Sequence, residues 1–472
     1  MKKAILILAA MGSFGFLANA QNQQGLRISN YGGVNSLQLN PSSFLHSPLK
    51  WDLNIASGGL FFENDYLYIE NTNFIEVLGQ NGPFLFRSSN PELINQADDP
   101  QALYYNFFDA NSKLNNTLSA FAGLPSLAFR IDKFSFGLYA NIRSANGLNN
   151  LDQDLDYFSL DQWIEGNEKS IDEIQIAGMQ WAEIGVNVAL KLKETEFHKW
   201  YGGINLKYLR GFDGFYLNSN KTTIATEIND TLSFSGGPYN YGISSATLNG
   251  GNLFEGNGNG AGMDIGFTYI EKYINKSRPY LWRFGLSIVD LGFVHFNQNS
   301  QNHQLTASDL YTADKSNLVN VTNPIELLQS TSLETTGDEF QTLVGDKFTL
   351  YTPAMISLQF DYSISKELFL GGQVNRRLNL SKKMVDKENI IVGSIRYEKR
   401  NWEIGMPLSL FEDSKLRLGI WTRIYFITIG TDHIKSLVYD DPQFTGSDIY
   451  FAIKLNPFNS KRKLGPEHCN FN

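Results

Sequence analysis

The chain has 472 residues, of which only 18% are charged, with 41 Gly, 34 Phe and 22 Tyr and a formal net charge of -9. An acidic chain is a poor partner for nucleic acid, and its single cysteine, Cys469, excludes an intramolecular disulfide. Past the first residues no apolar run approaches the roughly 20 residues that a membrane-spanning helix needs, so any crossing of a membrane must be made by strands.

Lys2 and Lys3, the apolar run Ala4–Leu17 and the A-x-A site Ala18-Asn19-Ala20 predict a signal peptide over 1–20. Gln21 to Lys50 does not alternate and is broken by Gly32, Gly33, Pro41 and Pro48. It is expected to be a compact plug segment, 21–50, with one short helical turn between Val34 and Leu45. Strands are then predicted at 51–61, 124–131, 134–143, 179–193, 199–212, 260–271, 280–291, 348–363, 366–377, 388–398, 401–410, 414–422, 424–431 and 447–456. In each, apolar residues recur with period two, as in Ile184, Val186 and Val188 against Glu183, Gly185 and Asn187. An additional hairpin is expected at 222–228 and 232–234 within the Asn- and Gly-rich insertion 213–259.

The connections alternate in length. Long ones at 62–123, 144–178, 213–259 and 292–347 take turns with short ones such as Asp132-Lys133 and Lys399-Arg400. Long loops on one end and short turns on the other describe an all-β fold, a transmembrane antiparallel up-and-down β-barrel of about 14 strands. The barrel is expected over 51–457, with a periplasmic tail at 458–472 and both termini on the periplasmic, short-turn side. Alternation alone would equally suit a soluble sandwich. The loop rhythm, the signal peptide and interfacial aromatics such as Trp51, Trp282, Trp402 and Tyr362 favour the outer membrane, with its lipid as the partner of the apolar faces. In the pair 260–296, Phe267, Tyr269, Trp282, Phe284 and Ile288 are expected to face lipid. Glu183, Lys191, Lys207, Asp264, Arg283 and Asp361 are expected to face the lumen, with Asp264 and Arg283 a candidate pair.

GAGMDIGFTYI and LWRFGLSIVDLGFVHF, within Gly260–Phe296, resemble the central strand pair of an uncharacterised family of outer-membrane β-barrels of Bacteroidota. Gly33-Val34-Asn35-Ser36-Leu37-Gln38-Leu39-Asn40-Pro41 is similar to that family's G-x-NS-x-x-x-NP segment, and FITIGTDHIKSL and SDIYFAIKL to its last two strands. More distantly, Asn40-Pro41 resembles the Asn-Pro-Ala element of FadL-type and PorV-type fourteen-stranded barrels, departing from it at Ser42. In FadL-type barrels this segment is a hatch inside the lumen. The resemblance thus implies hatch candidates Asn35, Leu39, Asn40, Pro41, Ser42 and Phe44, while an ordinary Asn-Pro turn remains the alternative.

Sites for chemistry are sparse. The six histidines are scattered, no G-x-S-x-G elbow occurs, and no metal or cofactor is expected. Asp152, Asp154 and Asp156 alternate in a loop but lack the Gly and closing Glu of a calcium loop. Gly256–Gly260 precedes no helix and cradles no phosphate. Catalysis is not expected. Two functions remain: passage of a small hydrophobic or amphipathic ligand through a hatch-plugged lumen, or a non-transporting structural role with protein partners held by the long extracellular loops. An apolar inward path would favour the first; the inward residues read as Gly and mixed charge.

Overall fold

The computed structural model describes residues 24–87, 99–108, 114–152, 166–220, 222–227, 231–246, 251–252, 254–274, 277–305, 311–314, 329, 332–333 and 335–456. The expected signal peptide, the tail 458–472 with Cys469, and Asp154 and Asp156 lie outside the described residues.

Fourteen antiparallel strands close into a barrel, each hydrogen-bonded to its neighbour in sequence. They are β1 (Trp51–Asn64), β2 (Leu114–Gly123 and Ser126–Ile131), β3 (Phe134–Leu151), β4 (Gln175–Glu194), β5 (His198–Ser219), β6 (Gly258–Glu271) and β7 (Trp282–Phe296). Then follow β8 (Phe348–Tyr351 and Met355–Ser363), β9 (Leu368–Arg377), β10 (Ile390–Glu398), β11 (Trp402–Phe411), β12 (Lys415–Leu418 and Ile420–Ile424), β13 (Ile427–Thr431) and β14 (Gly446–Leu455). The seam is made by β1, which pairs with β2 on one side and β14 on the other.

Charge and apolarity are distributed inside out relative to a soluble protein. Ile184, Leu206 and Leu358 are 54%, 58% and 52% exposed on the outer face, whereas Asp264 and Arg396 are both 0% exposed on the inner one. Burial of charge with exposure of aliphatic side chains is stable only where lipid replaces water outside. Aromatic rings gather at the short-turn end: Trp282 lies 4.4 Å from Tyr362, Trp200 4.7 Å from Tyr269, and Tyr397 5.2 Å from Trp402. Such a girdle marks a membrane interface. Among the described residues no helix is long and apolar enough to cross a membrane.

Two expectations need correction. The stretch before Gly123 is not irregular: Leu114–Gly123 is the first half of β2 and pairs with β1 and β3. Its inward Thr117 and Ser119 and outward Ala120 and Ala122 give almost no contrast in hydropathy, which is why the pattern was faint. Pro125, with no N–H for the ladder, separates its two halves. Strands β3 to β5 also run well beyond the expected lengths, to 18, 20 and 22 residues. The barrel is therefore tall on that side and low over β9 to β14. The expected hairpin forms as Thr222–Glu227 with Thr231–Gly236, in a small sheet with Glu168–Ile171 and Tyr311–Asp314. A second small sheet, from Leu67–Thr72, Phe84–Phe86, Leu103–Phe107 and Asp441–Phe444, packs on Leu60, Phe62 and Ile449 of the wall.

Candidate functional site

The segment ahead of β1 holds a short helix, Gln24–Arg27, and two 3-10 turns, Gly33–Gln38 and Ser43–His46, in place of the single turn expected. Almost all of it is buried, and its partners come from strands all around the barrel. Asp52 of β1 accepts from the Val34 N–H at 2.9 Å, Arg130 of β2 donates to the Leu45 carbonyl at 2.9 Å, and Asn187 of β4 donates to the Pro41 carbonyl at 2.9 Å. Asn205 of β5 reaches the Leu37 carbonyl, Arg283 of β7 the Ile28 carbonyl, and Lys454 of β14 the carbonyls of Tyr31 and Gly32. Ser29 and Asn30 donate to Glu403 of β11 and Glu398 of β10, each at 2.7 Å. Irregular backbone carries unpaired polar groups that must find partners when buried. Here the wall supplies them.

Asn40 and Pro41 occupy the most confined position. Asn40 Nδ2 donates to Gln359 Oε1 of β8 at 2.9 Å and to the Phe267 carbonyl of β6 at 3.1 Å. Asn40 Oδ1 accepts from the Ser42 hydroxyl at 2.7 Å, and that hydroxyl also meets Thr268 Oγ1 at 2.7 Å. Facing them are Gly203, Gly266 and Gly285 on three adjacent strands. A Cβ would stand 2.6 Å from the Pro41 carbonyl carbon at Gly203 and 2.2 Å from Asn40 Oδ1 at Gly266. At Gly285 it would stand 3.0 Å from Asn40 Nδ2. Only glycine leaves room there. Leu39 packs with Ile28, Val289 and Met355, and its carbonyl accepts from Ser287 at 2.6 Å. Phe44 packs with Val34, Leu37, Leu49, Ala128 and Tyr139, while Asn35 is buried and its Nδ2 has no partner among the described residues. The first described residues, Gln24–Arg27, thus lie inside the lumen, where Leu26 packs on Trp421 and Tyr450, and not at the short-turn rim.

Two tiers of buried charge surround this segment. In the lower, Asp361 binds Arg283 at 2.6 Å and Arg396 at 2.9 Å, Arg396 also binds Glu398 at 2.9 Å, and Arg423 binds Glu403 at 2.5 Å. In the upper, Arg143 binds Asp290 at 2.7 Å and Glu183 at 3.1 Å, and Lys207 bridges Asp264 at 2.8 Å and Asp290 at 2.7 Å. Asp264 and Arg283 therefore do not pair with each other. The ladder sets Arg283 opposite Ile270, well along the strand from Asp264. Lys191 differs from the other inward candidates: it lies at the rim, a third exposed, and binds Glu194 at 2.6 Å.

Asp290 was missed. It occupies a bulge at φ 60°, where Val289 and Asp290 both turn inward against one residue of β6. The trace it leaves in the sequence is a charge falling where strict alternation after Ile288 would put it in lipid. Also missed was an apolar cluster above the upper tier, formed by inward residues including Met179, Trp181, Leu209, Tyr216, Phe296 and Phe348. Val385, from the connection between β9 and β10, completes it. That connection folds inward: Val385 N–H donates to the Tyr351 carbonyl at 3.0 Å, and a Cβ on Gly147 of β3 would lie 2.3 Å from Asp386 Cβ. Between the N-terminal segment and the lower tier a cavity of about 30 Å³ remains, the size of a water. Among the described residues no group of His, Cys, Asp or Glu is arranged to hold a metal ion.

The sequence model of a family of unknown function, DUF5723, matches residues 52–432. The chain belongs to the DUF5723 family. No curated protein matches it. Among solved structures, a mutant of the TodX monoaromatic hydrocarbon channel is similar at 9% identity and a TM-score of 0.43, covering 94% of this chain and 96% of that one. The toluene transporter TbuX of Ralstonia pickettii is similar at 9% identity and a TM-score of 0.36, covering 89% and 92%. A FadL homologue of Pseudomonas aeruginosa gives 8% identity and a TM-score of 0.25, covering 88% and 91%. Likenesses this loose carry no functional argument. What this DUF5723 chain does must be argued from its own interior.

Proposed function

We propose that this DUF5723 protein is an outer-membrane channel whose lumen is closed by residues 24–50 acting as a displaceable hatch, and that it passes a small hydrophobic or amphipathic molecule. The observation that carries this is how the lumen is filled. The hatch is fastened by hydrogen bonds from wall side chains, which water can take over when the segment moves, so that each ordinary bond contributes only about 0.5–1.5 kcal/mol net, and by Leu26, Leu39, Phe44 and Leu45 packed on inward residues of the wall. Above it stands an inward apolar cluster, of which Trp181 and Phe296 are part, suited to a molecule with little need of water. The reading includes no catalysis.

A lock tests it. Ser42→Cys with Thr268→Cys replaces two hydroxyls 2.7 Å apart and should form a disulfide that ties the hatch to β6. Cells carrying the oxidised variant are expected to lose uptake of toluene and 1-octanol and to regain it on reduction. Equal uptake in both states would overturn the hatch. It would favour the second reading, a non-transporting structural barrel, for which the fully occupied lumen speaks.

A further inference from the structure

At the long-loop end, outside the lumen segment and its charged tiers, lies a polar cleft of about 530 Å³ between the tops of β5 and β8 and the connection 378–389. Its volume is that of a small-molecule site. Two of its groups are left wanting. Asn218 is 6% exposed, and among the described residues its Oδ1 has no hydrogen-bond partner. A buried acceptor left unpaired costs roughly 1–3 kcal/mol, so it asks for a donor. Lys383 donates to the Tyr216 hydroxyl at 2.8 Å and lies 4.1 Å above that ring, and among the described residues no carboxylate pairs with it. Partial burial lowers its pKa, as expected for a cation short of both water and a counter-ion. Neighbouring Lys382 is different, being paired with Glu173 on the surface.

We propose that this cleft binds an acidic saccharide. A ligand that answers both wants must bring an anionic oxygen to Lys383 and a hydroxyl or N–H donor to Asn218. A fully ionised phosphate or a simple carboxylate has the first and lacks the second. A neutral sugar has the second and lacks the first. A uronic acid carries both on one ring. The remaining lining suits it too: Ser219 and Asn240 offer hydroxyl and amide groups, and Tyr351, 39% exposed, adds an aromatic side chain at the edge. The Ser219 hydroxyl accepts from the Ile174 N–H at 3.2 Å, which leaves its own proton free to donate. The site is independent of whether anything crosses the lumen.

The test is calorimetric titration of the detergent-solubilised full chain with trigalacturonate, with maltotriose as the neutral control. Trigalacturonate is expected to bind at least about tenfold tighter. Lys383→Gln should erase that preference, and Asn218→Leu should weaken both sugars, while Lys191→Gln at the opposite rim should change neither. Retained heat-modifiable gel mobility shows that each variant is folded. The source is separated by competition: lipopolysaccharide with an acidic core, presented in nanodiscs, displaces trigalacturonate if the membrane's own headgroup is the ligand, and fails to if the ligand is a soluble glycan. Absence of binding to the parent chain, or affinities unchanged in both Lys383→Gln and Asn218→Leu, would overturn the proposal.

Discussion

The lower and upper halves of the lumen are both filled, the lower by polar bonds and apolar packing together and the upper by apolar packing. Below, a segment of irregular backbone is held by amides, hydroxyls and charged side chains of the wall, and by the packing of Leu26, Leu39, Phe44 and Leu45 against it. Above, Trp181, Phe296, Phe348 and their neighbours close the space by packing, with Val385 brought in from a loop. The difference separates two ways of filling a barrel. Polar fastening is specific in position and exchangeable with water. Apolar packing is tolerant in position and resists water.

The sharpest way to break the comparison is to deny the lower segment its seat. Gly266→Leu places a side chain where Asn40 Oδ1 would be 2.2 Å from its Cβ, and should expel the segment. A large rise in single-channel conductance and protease cleavage within 24–50 are expected; conductance like that of the parent would show that the seat does not hold it. Next come truncations in each half. Phe296→Ala should cost about 3–5 kcal/mol in urea refolding through the cavity it leaves, with residues 24–50 still protected from protease. Arg283→Ala should cost a similar 3–5 kcal/mol by breaking a buried ion pair, and there the segment should become cleavable. Identical protease patterns in the two variants would mean that the halves are not independent.

The outer face gives a reference for both. Phe284 is 46% exposed to the membrane side, and Phe284→Arg should cost about 2–4 kcal/mol at bilayer depth. An inward Ser287→Arg is not harmless either, because Ser287 is 2% exposed and donates to the Leu39 carbonyl. The smallest effect is expected at Ser42→Ala, which removes one hydroxyl between Asn40 and Thr268 and should cost about 1 kcal/mol. A loss beyond that of Arg283→Ala would make Ser42 the principal fastening of the segment.

Strand number and the segregation of long and short connections were legible because period-two alternation and turn residues are local properties. So was the inward direction of Glu183, Lys207, Asp264, Arg283 and Asp361. Their partners were not, since pairing depends on register, and a single bulge at Asp290 shifts it. Asp290 itself and Val385 were hidden for the same reason: one breaks the alternation, and the other belongs to a loop whose inward course no local pattern records. The seat of Asn40-Pro41 was half visible. The glycines of GGINLK, DIGFTY and RFGLS stood in the sequence, but only closure of the barrel brings Gly203, Gly266 and Gly285 around one dipeptide.

One feature of the seam reaches further. Asp52, on the first strand, holds the N–H of Val34, and Lys454, on the last, holds the carbonyls of Tyr31 and Gly32. The two strands that must find each other to complete the cylinder thus grip one short stretch, between Tyr31 and Val34. Asp52 and Lys454 also bind each other at 3.6 Å across that seam, so closing the cylinder and seating the segment draw on the same two side chains.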